Sequence, residues 1–204
     1  IDDSGSYFPL KDIIPNMVDS WEIWNDFNPT QTPHYDGEVW IGYDPSFTGD
    51  NAALAVIAPP QTSLSPYRIL EVKQFKGQTA QEQALYIKKV CARYNVTFIG
   101  IDNTGNGLVV SEYVSKFFPA LTRLNYNPEL KIRMGLRAKE LFQKRRLNFD
   151  AGLTTVAKAF LSIKKAMTSG GGNKTLVTSR SAENGHGDLA WAIMNGLERA
   201  PIVD

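Results

Sequence analysis

Two apolar runs in this chain each stop at an aspartate. Val39-Trp40-Ile41-Gly42-Tyr43 ends at Asp44, and Val96-Thr97-Phe98-Ile99-Gly100-Ile101 ends at Asp102. Runs so rich in β-branched and aromatic residues read as strands. The second follows a helical pattern and is apolar almost throughout, which predicts burial on both faces and parallel pairing with the first. A carboxylate where a buried strand ends is unusual, because desolvating the ionised group is expensive unless it is paired or binds a metal. A third aspartate, Asp188, opens the apolar helical stretch Gly187-Asp188-Leu189-Ala190-Trp191-Ala192.

The order of elements then limits the fold. Val39 to Asp44, Ala52 to Ala58 and Tyr67 to Phe75 are three strands with short connections, an antiparallel meander. Thr79-Ala80-Gln81-Glu82 is a capping box opening a helix with apolar positions Ala84, Leu85, Ile87, Val90 and Cys91. Val96 to Asp102 is the fourth strand; a helix to Phe118 and a fifth strand, Leu121 to Tyr126, follow. Asn127-Pro128 starts a long helix reaching about Lys144. Leu147 to Phe149 is extended, Leu153 to Met167 reads as a helix, and Ala166 to Arg180 can hold a hairpin around the Gly170-Gly171-Gly172 tip. Asp188 to Leu197 is the last helix. Three antiparallel strands followed by parallel strands between helices match an α/β mixed sheet of the ribonuclease H type. In that fold the first and fourth strands are neighbours, so Asp44 and Asp102 meet, and the last helix brings Asp188 across to them.

Composition narrows the function. The chain has 204 residues, enough for one sizeable domain, with 22 Lys+Arg against 21 Asp+Glu. A globally basic nucleic-acid binder is therefore not indicated, although Lys139, Lys144, Arg145 and Arg146 offer a local basic stretch that reads either as phosphate contacts or as a solvated helix end. One cysteine, Cys91, excludes a disulfide within the chain and reads as a small core residue. No apolar stretch is long enough to cross a bilayer. Residues 1–37 are irregular, aromatic and punctuated by Pro9, Pro15, Pro29 and Pro33. They read as a connector carrying one short helix whose Trp21, Trp24 and Phe27 pack on the main domain at 38–204, as in an excised C-terminal piece of a longer protein.

Hydrolysis of a phosphodiester requires an activated water and stabilisation of the departing oxyanion, which two Mg²⁺ ions about 4 Å apart supply. Mg²⁺ takes oxygen ligands and keeps several waters, so a few carboxylates suffice. With two histidines and one cysteine, a His/Cys zinc site is out of reach. The expected roles are Asp44 bridging both ions, Asp102 binding one and Asp188 the other, its charge favoured by the helix N-terminus. For any one of these acids the plain alternative is a turn former or cap. Asp50, in the first turn, and His186, two residues before Asp188, are accessory candidates with equally ordinary local readings; Asp150 reads as the cap of the following helix. Asn103-Thr104-Gly105-Asn106-Gly107 lacks the Gly-Lys-Ser/Thr ending of a nucleotide-binding loop, so no ATP site is expected.

Together these residues resemble the C-terminal nuclease domain of a tailed-phage terminase large subunit, most of all the ATPase-bearing subunit of P2-like phages. The likeness rests on Trp40-Ile41-Gly42-Tyr43-Asp44-Pro45-Ser46, Ile99-Gly100-Ile101-Asp102-Asn103-Thr104-Gly105 and Gly185-His186-Gly187-Asp188-Leu189-Ala190-Trp191-Ala192. Phe117-Phe118-Pro119 and Arg146-Leu147-Asn148-Phe149-Asp150 support it. The resemblance implies an Mg²⁺-dependent endodeoxyribonuclease, with Mn²⁺ able to substitute, that cuts concatemeric viral double-stranded DNA in the host cytoplasm. It implies an N-terminal ATPase domain in the same protein, a small terminase subunit, and the portal and procapsid as partners, with no membrane. Ala166 to Arg180 would be the counterpart of the hairpin that modulates cutting in some relatives. Lys139, Lys144, Arg145, Arg146, Lys174 and Arg180 would have to gather near the cleft to hold DNA. The rivals are another ribonuclease H-like nuclease of resolvase or transposase type, which often has a Glu at one position, and a non-catalytic docking module with a vestigial acid cluster.

Overall fold

The structure is a computed structural model that describes residues 4–45, 51–76, 78–105, 107–179 and 187–201. In chain order the elements are α1 (Leu10–Ile13), β1 (Met17–Val18), α2 (Ser20–Ile23), β2 (Glu38–Asp44), β3 (Asn51–Ala58), β4 (Tyr67–Lys76), α3 (Ala80–Arg93), β5 (Asn95–Asp102), α4 (Gly107–Ser115), β6 (Thr122–Leu124), α5 (Pro128–Gln143), β7 (Leu147–Asp150), α6 (Thr154–Leu161), β8 (Ile163–Met167), β9 (Lys174–Thr178) and α7 (Gly187–Gly196). Seven strands form one mixed sheet in the order β1-β7-β4-β3-β2-β5-β6, and β8 and β9 form a separate hairpin. The β2-β3-β4 meander is antiparallel, and β5 and β6 extend it in parallel, the ribonuclease H-like arrangement expected from the element order.

Strand alternation divides the core in two. Val39, Ile41 and Tyr43 of β2 enter the layer covered by α3 and α4, with Ile87, Val90, Val110 and Val114. Trp40 enters the opposite layer, with Met134, Phe142, Phe160 and Ile193 from α5, α6 and α7. The Thr79 capping box forms as read: its hydroxyl accepts from the Glu82 amide, and the Glu82 carboxylate accepts from the Thr79 amide. Asn127 caps α5 by accepting from the Leu130 amide at 2.8 Å.

Four local expectations change. The helix read over Leu153 to Met167 is only α6, ending at Leu161; Ile163 to Met167 alternates inward and outward and becomes β8, paired antiparallel with β9. The predicted hairpin thus exists and begins earlier than its glycine tip suggested. Strand β6 is shorter than Leu121 to Tyr126. Asp150 does not cap α6; it accepts from the Ser20 amide and hydroxyl and from the Gly152 amide, tying the start of α2 to β7. The segment before β2 is tied into the sheet: Phe8 and Ile13 are fully buried, β1 pairs with β7 at the sheet edge, and buried Asn16 donates to the Phe142 carbonyl at 2.9 Å. Its helix α2 is a single turn. It turns Trp24 inward and leaves Trp21 64% exposed, so the three aromatics do not share one packed face.

Candidate active site

Asp44 and Asp102 are the last residues of adjacent parallel strands, in a register that pairs Tyr43 with Ile101. They leave the sheet at the same end. Each follows a glycine by two residues, so Gly42 and Gly100 lie on the same face as the acids. These glycines pair with each other, and a Cβ on either would overlap α7 backbone: the Ala192 carbonyl oxygen over Gly42 and the Asn195 carbonyl oxygen over Gly100. A Cβ on Gly196 would in turn come within 2.9 Å of the Gly42 nitrogen. Helix α7 therefore lies on the sheet backbone to backbone, and its first turn carries Asp188 toward Asp44.

The electrostatics mark this end of the sheet. Burial holds the Asp44 carboxyl well above the usual carboxylate range, and the charges of Asp188 and Asp102 raise it further, against a smaller opposing effect of Lys131. Asp102 is also raised by burial, although the Thr104 amide donates to its Oδ1 at 2.8 Å and Lys131 favours its charge. Tyr126 is held far above an ordinary phenol by burial and by Asp44 and Asp102. Its hydroxyl donates to Asn195 Oδ1 in a short hydrogen bond, and Asn195 Nδ2 donates to the Tyr43 carbonyl at 2.8 Å. This relay fixes the end of β2 against α7 immediately before Asp44.

The three aspartates share a neighbourhood without forming a closed cage: among the described residues, no three His, Cys, Asp or Glu groups stand ready to hold a metal ion. The donor set is nonetheless all carboxylate, suited to hard cations that bring their own waters.

A cleft of about 650 Å³ runs between Asp102, Tyr126 and Lys131 on one side and Met167, Thr175 and Val177 of the hairpin on the other. Trp191 Nε1 donates to Thr178 Oγ1 at 3.2 Å, joining hairpin to α7. Three of the basic residues singled out from the sequence are not gathered here. Tyr67, at the start of β4, pairs with Leu147, and β4 runs antiparallel to β3, so Lys144, Arg145 and Arg146 sit at the opposite end of the sheet. Lys144 is bonded to Glu140 at 2.7 Å, and Arg146 donates to the Ser65 carbonyl. Lys139 lies 4.4 Å over the Tyr7 ring, and Lys174 is exposed at the start of β9. Asp50, Arg180 and His186 lie outside the described residues. Lys131, Tyr126 and Asn195 escaped the sequence reading. Asn195 stands seven residues after Asp188, two turns along the same helix face, and that spacing was its one available signal.

Comparison with known proteins agrees with this architecture. Residues 41–200 match the family described as the terminase RNaseH-like domain. The chain belongs to this family. This terminase domain is 42% identical over its full length to the terminase ATPase subunit of Escherichia phage P2, of which it spans 35%. It is 36% identical to the probable terminase ATPase subunit of Haemophilus phage HP1, of which it spans 34%. It thus covers about a third of the length of these curated relatives. The large terminase nuclease of thermophilic phage G20c with bound magnesium superposes with a TM-score of 0.74 at 16% identity, over 96% of this chain and 98% of that one. The SPP1 large terminase nuclease domain with bound Mn gives 0.55 at 11% identity, over 86% and 93%. At these identities the likeness establishes the fold.

Proposed function

We propose that this terminase domain is a metal-dependent endonuclease that cuts concatemeric viral double-stranded DNA by two-metal phosphodiester hydrolysis, with Asp44, Asp102 and Asp188 as the ligands. One observation carries the reading. Three acids from distant parts of the chain lie at one end of the sheet, and the central one is buried within reach of the others' charges, with no ion pair to a basic side chain among the described residues. A strongly raised carboxyl next to a second raised one, at the head of a cleft, supports a functional site. A bound divalent cation would supply the activated water and the charge to receive the leaving oxygen. The chain's own part is to hold Asp44 by the Tyr126–Asn195 relay, to orient Asp102 through Thr104, and to wall the cleft with α7 and the hairpin. The magnesium and manganese held by the structural relatives agree with this donor chemistry.

The same reading makes residues 1–37 the connector from an ATPase domain of the longer protein. It places the small terminase subunit, portal and procapsid among its partners, in the host cytoplasm. Among the described residues no helix is long and apolar enough to cross a membrane. The experiment is calorimetric titration with Mn²⁺ beside a plasmid-cutting assay, on the wild type and on Asp44→Ala and Asp188→Ala. The expected result is saturable binding and cutting, both lost in the variants. A wild type that binds no Mn²⁺, or an Asp44→Ala form that cuts at full rate, would sink the proposal.

A further inference from the structure

Six lysine and arginine side chains among the described residues have an acid in contact. Arg68 meets Asp26, Arg93 meets Glu71, Arg123 meets Glu112, Arg133 and Arg137 meet Glu198, and Lys144 meets Glu140. Lys116, Lys139 and Lys165 each sit on a single ring instead, and Lys131 differs from both groups by its two-ring seat beside the acids. It lies in the first turn of α5, set there by the Asn127 cap and Pro128, and among the described residues it forms no ion pair. Its ammonium sits instead on two rings, 5.9 Å from the centre of Tyr126 and 5.4 Å from that of Trp191, which are themselves 5.5 Å apart. Such a seat is worth about 1 kcal/mol and leaves the N–H donors facing away from the rings. Both rings are anchored, Tyr126 by Asn195 and Trp191 by Thr178, so the platform draws on α5, α7 and the hairpin. The ammonium lines the same cleft as Asp102, close enough for its charge to act on Asp44 and Asp102.

We propose that Lys131 is a contact to the substrate's phosphate backbone in this cleft, a cation held in reserve on an aromatic seat beside the acids. The proposal rests on the nuclease reading. It fills a gap that reading leaves, since Lys144, Arg145 and Arg146 are at the far end of the sheet. Cations held by Asp44, Asp102 and Asp188 would take up the negative charge that offsets Lys131 and leave its ammonium to an incoming phosphodiester.

The test is binding of a short DNA duplex over a series of salt concentrations, with Ca²⁺ replacing Mg²⁺ to suppress cutting, by the full chain and by Lys131→Met and Lys131→Arg. Losing one phosphate contact should make the slope of log affinity against log salt shallower by about 0.9, independently of DNA sequence. Lys131→Arg should keep the wild-type slope. Mn²⁺ binding should be unweakened in Lys131→Met, because the change removes positive charge beside the ligands. An unchanged slope in Lys131→Met overturns the proposal whatever its affinity, and so does loss of Mn²⁺ binding, which would make Lys131 a prop for the carboxylates. Should the methionine form melt early, Lys131→Gln is read by the same slope. A wild type that cuts DNA beside a variant of unchanged slope fails this inference alone; a wild type that neither binds Mn²⁺ nor cuts fails both.

Discussion

Acids at two places in this domain are treated in opposite ways. At the edge built by the first residues of the chain, Asp26 takes two hydrogen bonds from Arg68, at 2.6 and 3.0 Å, and its carboxyl is lowered, by that bond first. Asp150, nearby in the same edge, would be raised by burial, but the Ser20 and Gly152 donors outweigh it and lower it. In the cleft, Asp44 and Asp102 are raised, and the donors that would lower them are few. Asp150 ends a strand just as Asp44 and Asp102 do, so neither residue type nor strand position separates the two places. Partners do. An acid whose oxygens are answered by the protein holds the fold together, whereas one left facing other acids destabilises the fold and, on the proposed reading, is kept for chemistry.

The largest effect should come from Asp44→Asn. Losing several kcal/mol of metal-borne stabilisation means a fall of about a thousandfold in the rate of DNA cutting. The metal-free variant should nevertheless melt higher than the wild type at neutral pH. A carboxyl raised on folding adds stability below its unfolded value and loses it as the pH rises through the folded value, and the amide removes that loss. Melting curves without metal at pH 4 and pH 8 check the sign; a variant that melts lower than the wild type at pH 8 would erase the contrast between cleft and edge. Gly42→Ala should cost about 3 kcal/mol, because its Cβ has only α7 backbone to move against. Urea titration measures it, and a cost near zero would mean that α7 does not rest on the strand.

At the edge, Trp24→Ala should cost about 3 kcal/mol while its exposed neighbour Trp21→Ala stays within about 0.5 kcal/mol. Equal costs would mean that α2 packs both rings. The smallest effect is Asp150→Asn, about 1 kcal/mol at pH 7 after allowing for solvent screening. Its carboxyl is lowered on folding, so this stability is present above the unfolded value and is lost as the pH falls through the folded one. The gap between variant and wild type should therefore close in acid, as read by thermal melts between pH 7 and pH 2.

The two glycine-plus-aspartate strand ends, the capping box at Thr79 and the Asn127-Pro128 start were legible because each is a local event: a period, a cap or a break acting over a few residues. The same legibility extended to the parallel pairing of β2 with β5, since an unbroken apolar run after a helix has few other homes. The hairpin was misjudged at its start because Ile163-Lys164-Lys165-Ala166-Met167 satisfies a helical window almost as well as a strand one, and only pairing with Thr175-Leu176-Val177 decides between them. Lys144, Arg145 and Arg146 lie away from the cleft for a related reason. Lys139 to Arg146 lie together in sequence, but α5 rises about 1.5 Å per residue, which carries its last turns far from a cleft that its first turn lines.

What the sequence by itself determined is the set of elements and the two strand ends where acids leave the sheet, because strand and helix periodicity are properties of neighbours along the chain. What only the tertiary structure decided is which charges are answered. Tyr126 and Lys131 flank the start of α5 and Asn195 stands on α7, segments that meet nowhere but in the folded molecule. The cost of an ionised group depends on everything packed around it, so the difference between a structural acid and a reactive one is written in space rather than in order.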